Sequence, residues 1–395
     1  MAALPPGEQL RRLLASALTG EGPALAPVDP DLPRERLRRL LQVLAPSALI
    51  TPDGVTRRSA GRPAREGTAL VIVTSGSTGE PKAAELSAAA LAASARAALA
   101  RIGARPGERW LCCLPTWHIA GLQVLIRALI TDAVPLICAP SDTSAIAAAA
   151  TGPAGCTHVS LVPAQLRRLL DAGADLTRPR TILLGGAAPP AGLFAEARKA
   201  GAHVVTTYGM TETCGGCVYD GIPLDDVDVR TGPDGRIRIA GPVLFSGYRL
   251  RADLTAAVFD GDWFVTSDLG RVGPDGRLHV LGRADDVITT GGEKVAPTEV
   301  AASVEAHPAV REAVVFGVPD PRWGERVTAV VVPVDPARPP TLADLRTHVL
   351  GWLPAFAAPR ELLITAEIPL LPSGKSDIGT LRARATGTIE RQQRY

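Results

Sequence analysis

Thr74-Ser-Gly-Ser-Thr-Gly-Glu-Pro-Lys82 follows directly on the apolar run Ala69-Leu-Val-Ile-Val73. The run reads as a short buried strand. The loop after it reads as a phosphate cradle, because hydroxyls (Thr74, Ser75, Ser77, Thr78), glycines (Gly76, Gly79) and the charge of Lys82 can all face phosphate oxygens. It is not a Walker A loop, which needs Lys-Ser/Thr immediately after its second glycine; here Glu80-Pro81 intervene. A P-loop kinase is excluded on that spacing. Outward from the loop, the pattern predicts helices over 86–101, 121–130 and 163–172 and strands over 110–114, 134–138 and 181–184. Alternation of this kind means a mostly parallel sheet covered by helices. Residues 1–66 read as a helical, loop-rich opening. From Ile237 the texture changes to short strands separated by Asp-Gly turns (Asp234-Gly235, Asp275-Gly276), as in antiparallel hairpins. After Gly282-Arg283 a further region begins, with helices at 296–304 and 341–353 and strands at 313–318 and 327–334. The domain boundary is expected near 282–286.

The chain of 395 residues is long enough for two or three domains. Lys+Arg 42 against Asp+Glu 40 leaves a net charge of +2, no footprint for nucleic-acid binding. The N-terminus has prolines and charges where a signal peptide needs an apolar run. The longest apolar stretch, Leu122 to Pro140, carries Arg127 and Asp132, so it reads as a buried helix and strand rather than a membrane span. Six cysteines in a chain of this length read as free thiols in a reducing compartment. The expectation is a cytoplasmic protein without stable membrane insertion. Cys214-x-x-Cys217 has no second pair to complete a zinc site and reads as packing or pocket lining.

The phosphate loop resembles that of the adenylate-forming acyl-CoA synthetase superfamily, and further motifs of that family follow in order. The resemblance implies an α/β, adenylate-forming (acyl-CoA synthetase-like) fold. Its large N-terminal domain, 1–282, mixes sheets and helices and binds nucleotide and acyl group. A hinge at 283–286 leads to a small mobile α+β domain, 287–395. It also implies ATP and coenzyme A as co-substrates, Mg²⁺, and a small carboxylic acid that becomes an acyl-AMP before a thiol displaces AMP. A homodimer is compatible with the family.

Residue by residue, the resemblance assigns Gly185, Gly186 and Ala187 to the adenine, where small side chains let a flat base approach the backbone. In Thr207-Tyr-Gly-Met-Thr-Glu-Thr213, the segment Thr207, Tyr208, Gly209 and Met210 is assigned to the nucleotide. The Tyr208 ring can stack on a base, Thr211 can donate to the α-phosphate, and Glu212 is a hard oxygen ligand for Mg²⁺. Asp268 is acceptor-only and suits the ribose diol, with Arg283 reaching ribose or phosphate and Asp285 as the pivot. Gly291 and Gly292 are assigned to the pantetheine tunnel. Lys375, in Pro369-Leu-Leu-Pro-Ser-Gly-Lys375, is the adenylation lysine. His118, in Pro115-Thr-Trp-His-Ile-Ala-Gly121, is the gate between acyl pocket and tunnel, and Gly209, Gly215 and Gly216 leave room for the acyl group. One departure stands out: Ala83-Ala84 replaces the usual Gly-Val after the loop lysine.

Within the superfamily, Thr-Trp-His-Ile-Ala-Gly and Tyr208–Gly221 are similar to the o-succinylbenzoate–CoA ligases of menaquinone biosynthesis, especially their short actinobacterial forms. That resemblance implies an aromatic acid with two carboxylates. Three alternatives stay open: a CoA ligase for another aryl or acyl acid, an adenylating enzyme that loads a carrier protein, and a non-catalytic nucleotide-binding protein.

Overall fold

The computed structural model describes residues 1–75, 81–152, 155–190, 192–371 and 375–387. Five of the loop residues named above (Gly76, Ser77, Thr78, Gly79 and Glu80) lie outside that set, as does the side chain of Ser75.

The chain opens with α1 (Glu8–Thr19) and α2 (Arg34–Leu44), then a hairpin of β1 (Ala48–Thr51) and β2 (Gly54–Arg57). β3 (Thr68–Ser75) runs into the phosphate loop and returns as β4 (Pro81–Ser87), its antiparallel partner. This corrects the expectation that a helix starts at 86. The helix, α3 (Ala88–Arg101), starts two residues later, where Ser87 Oγ accepts from the Ala90 amide at 3.0 Å. The cradle therefore joins two antiparallel strands and lies outside the parallel sheet. Ala83 and Ala84 fall inside β4, buried opposite Val73 and Ile72, so their methyl groups fill a sheet layer and crowd no turn.

The parallel sheet follows: β5 (Trp110–Cys112), α4 (Ile119–Ile130), β6 (Leu136–Ile137), α5 (Thr143–Thr151), β7 (His158–Leu161), α6 (Pro163–Asp171), β8 (Thr181–Leu184), α7 (Leu193–Lys199), β9 (Val204–Met210). Antiparallel β10 (Gly215–Tyr219) and β11 (Ile222–Pro223) extend it, in the order β11-β10-β9-β8-β7-β5-β6. α4 is buried on nearly every side, as an apolar helix between layers must be. Further on, strands at 228–231, 236–240, 259–260, 263–272 and 278–283 form an antiparallel sheet, as the Asp-Gly turns predict. Strands at 288–290, 293–295, 310–320, 324–333 and 361–364 form the last one, packed by helices at 297–305, 342–350 and 378–385. The buried clusters divide with the chain. One holds residues from Ala2 to Leu278, and another holds residues from Ile288 to Ala358.

The opening segment is pinned by one side chain. Arg249 is 5% exposed; it pairs with Glu85 at 2.9 Å and donates to the carbonyls of Leu44 (2.6 Å) and Pro63 (3.1 Å). Breaking a buried pair from one side leaves an uncompensated charge, at a cost of about 3–5 kcal/mol. Here Arg65, 3.3 Å from the other Glu85 oxygen, supplies a partial substitute. Arg249→Met is expected to lower the unfolding free energy by about 3 kcal/mol in denaturant titration, and adding Glu85→Leu to restore part of it. A change below about 1 kcal/mol would remove the pair from this role.

Candidate active site

The carboxyl ends of parallel strands are where α/β sheets place ligands. β8 ends at Leu184 and delivers Gly185, Gly186 and Ala187 there, with Gly186 at φ 86°. A Cβ on Gly185 would stand 2.3 Å from Thr207 Oγ1, and one on Gly209 would stand 2.0 Å from the Gly215 carbonyl oxygen. Neither position has room for a side chain, so β8, β9 and β10 approach one another as bare backbone. Thr207 Oγ1 lies 3.4 Å from the Leu184 carbonyl, and the Met210 amide donates to Thr213 Oγ1 at 2.9 Å, closing the turn 211–213 that carries Thr211 and Glu212.

Two tyrosines organise the carboxylates. The Tyr208 hydroxyl donates to Asp268 Oδ2 at 2.8 Å. Arg283 stands opposite Asp268 in the antiparallel register, its guanidinium 3.8 Å from Asp268 Oδ1 and 3.3 Å from Asp285 Oδ2. The structure thus brings Tyr208, Asp268, Arg283 and Asp285 into one group, with Asp285 exposed in the turn 284–286. The second tyrosine, Tyr248, donates to Glu212 Oε1 at 2.8 Å, and Lys82 Nζ lies 5.3 Å from its ring centroid. Burial and the neighbouring carboxylates, Asp268 and Glu212 respectively, raise both phenol pKa values, so both hydroxyls stay protonated donors. Sequence reading passes over Tyr248. The strand Gly247–Tyr248 has two residues, too short for a periodic signal, and only its pairing with β4 brings it to Lys82 and Glu212.

Glu212 Oε2 makes no hydrogen bond among the described residues, so one hard oxygen is free. Those residues contain no group of three or more His, Cys, Asp or Glu able to hold a metal alone. A single carboxylate suits Mg²⁺ shared with a triphosphate, since that ion keeps most of its shell for water and phosphate oxygen.

His118 precedes the first turn of α4. Gly121 lets the helix start fold back there: a Cβ would stand 2.3 Å from the Pro115 carbonyl oxygen. Burial, reinforced by the charges of Lys375 and Arg36 and opposed by Asp29, holds the imidazole below its ordinary value of 6.5. Lys375, exposed at the foot of the last helix, is therefore close enough to act on a residue of the large region. Gly291 and Gly292 do not join this cluster through their contacts. They form a turn at φ 61° and 85°, and the Gly291 amide donates to the Trp323 carbonyl at 2.8 Å. Gly215 and Gly216 face Gln123 of α4 and Tyr219 of β10. All six cysteines are free. Cys214 and Cys217 are fully buried, and burial pushes both thiol pKa values well up, so they pack as thiols. No helix among the described residues is long and apolar enough to cross a membrane.

Comparison with known proteins identifies the family and the fold. Residues 55–249 match the AMP-binding enzyme family and residues 299–375 the AMP-binding enzyme C-terminal domain. A probable 2-succinylbenzoate–CoA ligase of Mycobacterium tuberculosis is 45% identical over 331 residues, 82% of this chain and 86% of that one. A feruloyl-CoA synthase of Streptomyces is 34% identical over 345 residues, 80% and 69% of the two chains. Among solved structures, ATP-bound MatB of Rhodopseudomonas palustris superposes with a TM-score of 0.83 at 26% identity, covering 98% of this chain and 89% of that one. The o-succinylbenzoate CoA synthetase of Bacillus subtilis, in complex with its acyl-adenylate intermediate, gives 0.74 at 27% identity, covering 95% and 81%.

The proximity of Lys375 to His118 has a direct readout. In a proton NMR titration His118 is expected to titrate below 6.5, remaining neutral at pH 7, and to move upward in Lys375→Ala. An unchanged midpoint in the variant would separate the two residues.

Proposed function

The chain belongs to the AMP-binding enzyme family, and we propose that it is an ATP-dependent acid–thiol ligase that joins o-succinylbenzoate to coenzyme A through an acyl-AMP. What supports the chemistry is the pair of carboxylates Asp268 and Glu212, each held by a tyrosine hydroxyl, together with the charge of Lys375 acting on His118. The observation that favours this acid is the 45% identity to a relative bearing that name. The 34% identity to a feruloyl-CoA synthase supports a second reading, a ligase for another aryl acid.

In the first half-reaction a carboxylate oxygen of the acid attacks the α-phosphorus, and the bond to pyrophosphate breaks. Tyr208, Gly185, Gly186 and Ala187 would hold the adenine, with Thr207, Gly209 and Met210 shaping the strand end beside it. Asp268, already fixed by Tyr208, would accept from the ribose hydroxyls while Arg283 sits alongside. The loop from Thr74 to Lys82 would hold the β- and γ-phosphates and Thr211 the α-phosphate. Glu212 would hold Mg²⁺, which offsets triphosphate charge when bound. Lys375 would neutralise charge growing on the α-phosphate; a cation about 4 Å away contributes about 4 kcal/mol at an effective dielectric near 20. What counts for rate is the part that grows toward the transition state.

In the second half-reaction the thiol sulfur attacks the acyl carbonyl, the bond to AMP breaks and the thiol proton leaves. Lys375 and the thiol cannot both occupy the same approach, so the region after the turn 284–286 would rotate about Asp285. That motion would withdraw Lys375 and bring Gly291–Gly292 to the channel behind His118. The separate buried clusters on either side of 282–288 support such a division, with 1–282 as one body and 287–395 as the other. His118, neutral at pH 7, can turn aside without carrying charge into the channel.

Two experiments test this reading. Mass spectrometry of a reaction with ATP, Mg²⁺, coenzyme A and o-succinylbenzoate should show the CoA thioester and AMP, and the acyl-adenylate when CoA is omitted. A thioester from ferulate but not from o-succinylbenzoate would select the second reading. Lys375→Ala should slow adenylate formation by roughly 100-fold or more while leaving thioester formation from supplied acyl-AMP near normal. Equal loss in both steps would contradict the division of labour.

A further inference from the structure

Cys214, the residue after the turn 211–213, has φ 52° and ψ 29°, the left-handed region that residues with a Cβ rarely adopt. Among the described residues, Cys214 is the only buried non-glycine at positive φ. Its conformation swings the chain out of the turn and into β10, where Gly215 continues at φ 105°. The Cys214 amide donates to the Thr211 carbonyl at 3.0 Å and closes the turn. Whatever fixes Cys214 therefore also fixes Thr211 and Glu212.

The Cys214 carbonyl has two lone pairs, and buried side chains from two different helices take both. Gln123 Nε2 of α4 donates to it at 2.7 Å, and Ser94 Oγ of α3 donates at 3.1 Å. An amide and a hydroxyl inside apolar helix packing cost free energy unless they are bonded, and both are bonded to this one atom. From the other side, Thr213 Oγ1 donates to the Gly215 carbonyl at 2.7 Å. Gln123 also packs against the next residue: its Cγ lies 3.2 Å from where a Cβ on Gly215 would stand. α4 follows directly on His118, so one helix carries the gate at its start and this clamp one turn on. Backbone strain persists only where the surroundings over-determine it, and it collects at functional sites.

We propose that Gln123, together with Ser94, clamps Cys214 in its left-handed conformation and so holds the Thr211 hydroxyl where the α-phosphate of the nucleotide arrives. This rests on the ligase reading above and adds a residue that lies in none of the nucleotide motifs. Gln123 is a positioning residue: it acts on the phosphate only through Cys214 and the turn. Without the clamp the backbone at 214 relaxes toward negative φ, and Thr211 and Glu212 move with it. Base and ribose, served by β8, β9 and Asp268, do not depend on it.

The test compares AMP with adenosine, which share base and ribose and differ by the phosphate that Thr211 would meet. Titration calorimetry without Mg²⁺ gives both dissociation constants for the full-length wild type and Gln123→Leu. AMP affinity should fall roughly 10-fold in Gln123→Leu and adenosine affinity less than about 2-fold. Two double variants isolate the strain. Gln123→Leu with Cys214→Gly and Gln123→Leu with Cys214→Ala both remove the sulfur, but only glycine takes this φ freely. The glycine variant should bind AMP about 5-fold more tightly than the alanine variant. A role in core packing alone would weaken AMP and adenosine together and give glycine no advantage; either result in folded variants overturns the proposal. If Gln123→Leu does not fold, Ser94→Ala should lower the preference for AMP in the same direction, and an unchanged preference overturns the proposal equally. A wild type that binds AMP no more tightly than adenosine removes the placement of the phosphate at Thr211, and this inference with it. A wild type that prefers AMP, with that preference intact in Gln123→Leu, removes the inference alone.

Discussion

The hydrogen bond from Tyr208 to Asp268 joins two sheets that nothing in the chain order makes neighbours. Tyr208 stands at the end of β9 in the seven-stranded sheet. Asp268 lies on the long strand 263–272 of the antiparallel sheet, and its cross-strand partner, Arg283, is the last residue before the turn 284–286. The Tyr208 ring, the Asp268 carboxylate and the strand that leads into the turn 284–286 are therefore linked through one contact of 2.8 Å. Because burial and Asp268 keep the phenol protonated, the bond holds across the pH range in which such an enzyme works. The pair formed by Tyr248 and Glu212 repeats the device near Lys82. In both cases a tyrosine hydroxyl fixes one oxygen of a carboxylate, which orients the group in advance.

Much of this was legible in the residues themselves. The helices at 119–130 and 163–171 and the strand at 181–184 carry clear periodic or continuous apolar patterns, and the structure places them within a residue or two of where the pattern puts them. The phosphate loop was less legible as topology. A strand followed by a Gly/Ser/Thr loop and an Ala-rich stretch reads as strand, loop and helix, but the seven residues Pro81–Ser87 pair with β3 instead. Their Lys-Ala-Ala-Glu-Leu core has no strong strand propensity. It is a strand because β3 and Gly247–Tyr248 flank it on either side. The hairpin 48–57 escaped because its strands have 4 residues each, too short to show a period.

The site splits along the same line. Glycines and acidic residues within contiguous motifs can be found from spacing, because the chemistry needs them side by side. Tyr248 and Gln123 cannot, because their roles come from long-range contacts. Tyr248 meets Glu212 across 36 residues and Gln123 meets Cys214 across 91. In the sequence Arg127 is only a charge that interrupts an apolar run and argues against a membrane span. In the fold most of that run is α4, and the charge is buried against Tyr219, Ser160 and Trp110. Arg249 is a similar case. It is one arginine among many in the sequence, yet in the fold it ties the opening 66 residues to the sheet beneath the phosphate loop.

We propose that these groups and Lys375 serve one site in which an acid and ATP exchange pyrophosphate before any thiol takes part. Acid-dependent exchange of labelled pyrophosphate into ATP, measured without coenzyme A, tests it most directly. The account predicts exchange that requires o-succinylbenzoate and Mg²⁺ and is largely lost in Lys375→Ala. Exchange that appears only when coenzyme A is added, or that persists undiminished without Lys375, would contradict it.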